Sequence, residues 1–133
     1  MAQSSACSYN IIMATEIIGL SHAEREMVAN VVRFNSSLFM SYEELAAGSL
    51  LDREEYLIIA KLTAILRVAN ALDRSHKQKI KDIKVSMKGG HTMQILVDTA
   101  EDLTLEQALF REKAEFFEEV YSIRPVLKAK KLL

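Results

Sequence analysis

Residues 52–76 read DREEYLIIAKLTAILRVANALDRSH. Asp52 stands three residues before Glu55, so the aspartate side chain can accept an orphan amide at a helix start while the glutamate reaches back to the cap. Leu51 and Tyr56 occupy the two positions of a hydrophobic staple across that start. From Tyr56 to Leu72 apolar residues fall on nearly every side of the helical wheel, the pattern of a helix enclosed by neighbours. The stretch therefore predicts a long helix forming the spine of the fold. Lys61, Arg67 and Asn70 interrupt it, and it is too short and too polar to span a bilayer.

On the N-terminal side the pattern stays helical. Ile11, Ile12, Thr15 and Ile18 share one face of a helix expected over Ser8 to Ile18, with Gly19 at the position that commonly ends helices. Ser21 and Glu24 make a second capping box, and Met27, Val28, Val31, Val32 and Phe34 give the following helix its apolar stripe. Leu38 to Leu50 is a connector with one short helical turn at Tyr42 to Ala46. After Lys79 the period becomes two: Ile83, Val85 and Met87 alternate with Lys84, Ser86 and Lys88. Gly89-Gly90 then supplies the positive φ angles of a tight hairpin, and Met93, Ile95 and Val97 resume the alternation. Thr104 with Gln107 predicts the cap of a last helix whose stripe is Phe110, Ala114, Phe117 and Tyr121, expected to cover the sheet. Pro125 is expected to stop it, with a third strand over Val126 to Lys130. The fold class is α+β: a helical part over residues 1–78 with a long central helix, then a ββαβ unit over residues 79–133 packed on it.

Composition narrows the function. The chain has 133 residues, half of them apolar, a formal charge of −1 and a pI near 6.3. Length and apolar content suffice for a folded core, and the balanced charge argues against a nucleic-acid partner. Any polyanion site must be local. Cys7, the sole cysteine, has no partner for an internal disulfide or a zinc site. The N-terminus lacks a basic segment followed by a long apolar run, so a signal peptide is not expected, and the reading is cytoplasmic with no membrane partner.

Between Arg67 and Lys88 seven basic residues face two acidic ones, Asp73 and Asp82. The cations are Arg67, Arg74, Lys77, Lys79, Lys81, Lys84 and Lys88, joined by His76. Cations near a helix C-terminus also suit its dipole, so a solvated basic face accounts for part of the run. If the side chains converge they form a groove for a flexible polyanion, held by charge-assisted hydrogen bonds that weaken with salt. Both readings stay open from the residues alone. Ser75 beside His76 does not make a nucleophile and base, because that pair is defined by geometry and an orienting third group. Asp73 is read as securing the helix end. His22, His76 and His91 are dispersed, with no H-x-x-x-H or Cys/His spacing, so no metal site is expected. No glycine motif fits a phosphate loop or a dinucleotide fingerprint, and no cofactor is expected.

Three stretches together resemble the C-terminal region of the bacterial exopolyphosphatase and guanosine pentaphosphate phosphohydrolase (Ppx/GppA) family. They are IIGLSHAERE at residues 17–26, LTAILRVANALDRSH at 62–76, and LTLE at 103–106 followed by KAEFFEE at 113–119. The second match is the most specific, and the three follow the family's order. In that family hydrolysis belongs to an N-terminal pair of actin-like domains, while the C-terminal region is an HD-like helical domain followed by a small α/β unit. The resemblance implies a truncated HD-like part here and an accessory role: binding polyphosphate or a related polyanion, and supporting dimerisation, without a catalytic centre of its own. It points to Arg74, His76 and Lys77 as phosphate-contacting residues, and the basic run adds Arg67, Lys79 and Lys81 as candidates. No His-Asp pair is present, and Asn70 stands where many relatives carry Asp, a poorer ligand for a hard cation. Autonomous metal-dependent hydrolysis is therefore not expected.

Cys7-Ser8-Tyr9 lies near where many relatives have a His-Ser-x-Tyr start, which places the beginning of the chain inside the domain. With earlier helices missing, the long helix would keep an uncovered apolar patch, the usual mark of an interface. A homodimer, or association with a catalytic actin-like portion, is the expected partner. The other readings are a pure oligomerisation or protein-interaction domain and a small HD-type metal phosphohydrolase.

Overall fold

The capping boxes form as the spacing requires. In the computed structural model, which describes residues 2–15, 19–35, 38–47, 51–76, 82–99 and 102–130 (backbone only at 2–6 and 73–76), helix α1 spans Ala2–Ala14 and α2 spans His22–Phe34. At the start of α2, Ser21 Oγ accepts from the Glu24 amide at 3.1 Å and Glu24 Oε1 accepts from the Ser21 amide at 2.9 Å. Helix α3 is the short turn Tyr42–Ala46, capped by Ser41, whose Oγ accepts from the Glu44 amide at 3.3 Å. Helix α4 runs Arg53–His76; Asp52 Oδ1 accepts from the Glu55 amide at 2.8 Å and Glu55 Oε1 from the Asp52 amide at 3.2 Å. Helix α1 starts earlier than the apolar face predicts and ends at Ala14, where Thr15 Oγ1 turns back to the Ile11 carbonyl at 2.7 Å. A hydroxyl bonding four residues back competes for the carbonyl that continues the helix.

Strand β1 spans Asp82–Lys88, β2 Thr92–Asp98 and β3 Arg124–Lys130, with α5 at Thr104–Tyr121 between β2 and β3. The sheet order is β1-β2-β3, the first pair antiparallel and the second parallel. Gly89 and Gly90 take φ of +65° and +78° in the hairpin, the left-handed region where a side chain is strained. The sequence-based start of α5 needs correction. Leu103 is buried at the cap position with no side-chain cap bond, and Asp102 Oδ1 instead accepts from the Thr104 amide at 3.1 Å and its hydroxyl at 2.7 Å. Gln107, freed from that task, donates to the Leu127 carbonyl at 3.0 Å and ties α5 to β3. The helix ends at Ser122, in left-handed conformation at φ 56°, rather than at Pro125, which lies inside β3 on an edge that tolerates a missing amide.

By backbone contacts the chain divides into two compact units, Met1–Leu66 and Arg67–Leu133. The first is built on Val31, Phe34, Leu45, Leu51 and Ile59, with Met27, Phe39, Met40, Tyr56 and Leu66 packed round them. Leu51 and Tyr56 thus belong to one cluster, in keeping with the staple, and the Tyr56 hydroxyl donates to the Met40 carbonyl at 2.7 Å. Burial raises the Tyr56 pKa, with the nearby charges of Glu43 and Glu44 adding to the effect. The second unit buries Ile95, Val97 and Leu127 on one face of the sheet, and Phe110, Ala114 and Phe117 on α5, which packs against β3. The long helix is not enclosed on all sides: Leu57, Ile58, Leu62 and Ile65 are 41–56 % exposed.

Candidate functional site

Of the six residues expected to contact phosphate, Arg67 is the one whose side chain is described. Its guanidinium carbon lies 4.8 Å from the centroid of the Phe116 ring on α5. Burial lowers the Arg67 pKa from its ordinary value, opposed by the negative charge of Glu119. An arginine stacked on a ring and partly withdrawn from water is an anchor between α4 and α5. Arg74 and His76 belong to the last turns of α4, but their side chains lie outside the described residues, as do Lys77, Lys79 and Lys81 altogether. Lys84 and Lys88 are exposed on β1, four residues apart and so on the same face of the strand.

A second set of charges was not legible as a group in the sequence. Between α5 and β3 runs a groove of about 540 Å3 lined by Gln107, Arg111, Glu115, Glu118, Arg124 and Lys128, among others. Arg124 Nε donates to Glu118 Oε1 at 2.8 Å, and this bond raises the Arg124 pKa. Three cations and two carboxylates share the groove, so its charge is largely compensated from within. Arg111, Glu115 and Glu118 follow helical spacing and Arg124 and Lys128 follow strand spacing. Only the return of β3 beside α5 brings the two sets together.

His22 Nδ1 is 3.1 Å from an Arg25 guanidinium nitrogen at the start of α2, and His91 is exposed beside the hairpin glycines. Among the described residues no group of three or more His, Cys, Asp or Glu side chains is arranged to hold a metal ion. Nor is any described helix long and apolar enough to cross a membrane.

The comparison with known proteins agrees with the segments quoted above. No curated protein matches the chain significantly. A family model does: Ppx/GppA phosphatase, domain III, matches residues 2–115 and so takes in α1 to α4, the hairpin and the first part of α5. With most of its length accounted for by that one domain, the chain belongs to the Ppx/GppA phosphatase family, as a copy of its domain III.

Proposed function

We propose that the chain is an accessory domain of an exopolyphosphatase-like phosphohydrolase, which holds polyphosphate or a related phosphate polyanion, supports dimerisation and leaves hydrolysis to an actin-like portion. The observation that carries the anion part is the run of seven basic residues against two acidic ones between Arg67 and Lys88, in a chain whose net charge is −1. A local excess of that size in a neutral chain concentrates attraction at one place, the end of α4 and the segment after it. Membership of the family supports the phosphoanhydride class of ligand. The lack of a His-Asp pair supports a role without catalysis.

The test is titration with medium-length polyphosphate at two salt concentrations. If about four cations are engaged, affinity falls roughly fifty-fold between about 50 mM and about 200 mM salt, by analogy with a flexible single strand. Replacing Arg74, Lys77 and Lys79 together by Ala should flatten that dependence. Absent binding, or binding indifferent to salt, would sink the polyanion reading. It would favour the pure interaction domain, a reading for which the exposed Leu57, Ile58, Leu62 and Ile65 of α4 speak.

A further inference from the structure

Strand β1 pairs on one side only: the sheet order places it at an edge, and among the described residues no strand adds to its outer side. It is seven residues long, with neither proline nor glycine to blunt it. Its apolar residues continue the buried face of the sheet, because Ile83 lies opposite Val97, Val85 opposite Ile95 and Met87 opposite Met93. Val97 and Ile95 are buried, whereas Ile83, Val85 and Met87 are 45 %, 56 % and 50 % exposed. The covered face therefore runs out one strand before the sheet does.

From this edge we infer that a second copy of the chain pairs with β1 antiparallel about a two-fold axis at Val85, joining two three-stranded sheets into one. The axis is fixed by charge. With Val85 opposite its own equivalent, Asp82 faces Lys88 of the second copy at both ends, Ile83 faces Met87, and Lys84 faces Ser86. No like charges meet, and six apolar side chains form one strip on a common face. A shift of two residues sets Lys84 opposite Lys84 in one direction, and Lys84 opposite Lys88 twice in the other. A shift of one residue sets apolar side chains against polar ones. Lysines on an edge ordinarily discourage pairing; here the register that pairs all seven residues keeps them apart, which makes the edge selective for its own copy. Asp82 Oδ1 accepts from the Ile83 amide at 3.0 Å, which holds the carboxylate at the end of the strand.

This rests on the self-association part of the proposed function and not on the anion part. It is tested by sedimentation of the 133-residue chain between about 1 and about 100 μM, with circular dichroism to verify folding. The parent chain should dimerise, and Val85→Lys, which sets two cations across the axis, should leave monomer. Lys88→Asp should weaken the dimer about tenfold by opposing two pairs of carboxylates, and Asp82→Lys/Lys88→Asp should restore it. Recovery by the exchange cannot come from misfolding. A parent chain monomeric throughout the range overturns both this pairing and the self-association reading. A dimer that survives Val85→Lys overturns the edge pairing alone, and its loss on Leu62→Lys would assign the interface to α4 instead.

Discussion

Thr63 is fully buried on α4, and its hydroxyl has no hydrogen-bond partner among the described residues. A buried hydroxyl without a partner has given up water for nothing, and a methyl group in its place costs no shape. Thr63→Val should therefore raise stability by about 1 kcal/mol, read as a higher urea midpoint at unchanged slope. Asn30 is a milder case: its amide nitrogen donates to the Glu26 carbonyl at 3.0 Å while its oxygen has no partner among the described residues. Neither feature is visible in the sequence. A threonine in an apolar helix reads as one more helical residue until its neighbours are known. Arg67 is similar, since its letter reads as a free cation, and only the position of Phe116 makes it an anchor.

At the scale of elements the caps were the most legible features. Ser21 with Glu24 and Asp52 with Glu55 act within four residues, so no distant contact was needed to form them. Asp52→Ala should cost about 1 kcal/mol in urea unfolding and lower helix content at the start of α4, because the Glu55 amide loses its acceptor. The same local logic failed at α5. There Leu103 is drawn into the core at the cap position, and Asp102 and Gln107 take tasks that the Thr104–Gln107 spacing did not announce. Tertiary burial of one leucine outweighed a local pattern. Strand alternation was legible for β1 and β2, since period two follows from the pleat alone. That β3 begins at Arg124, ahead of the proline, depends on the Arg124 amide donating to the His91 carbonyl at 2.8 Å, a contact across 33 residues of sequence.

For the whole molecule, each of the two units has its own core. Phe110 is 1 % exposed in the second, the most deeply buried side chain on the helix that covers its sheet. Phe110→Ala should cost roughly 3–5 kcal/mol. A unit of some 67 residues has roughly 3–10 kcal/mol to lose, so the strand signal should vanish at a much lower urea concentration than in the parent. An unchanged midpoint would mean that α5 contributes little to the second core.

What the chain's letters determined alone is the kind and order of its elements, and the family it belongs to, because periodicity, caps and turn glycines act over a few residues. They also placed the basic run at the end of the long helix. The tertiary structure decided which apolar residues are left uncovered. β3 returns parallel to β2 and not beside β1, so Ile83, Val85 and Met87 stand at an edge while Ile95 and Val97 are enclosed. Coverage is a property of neighbours in space, and identical alternation on two strands carries no mark of which one will have them.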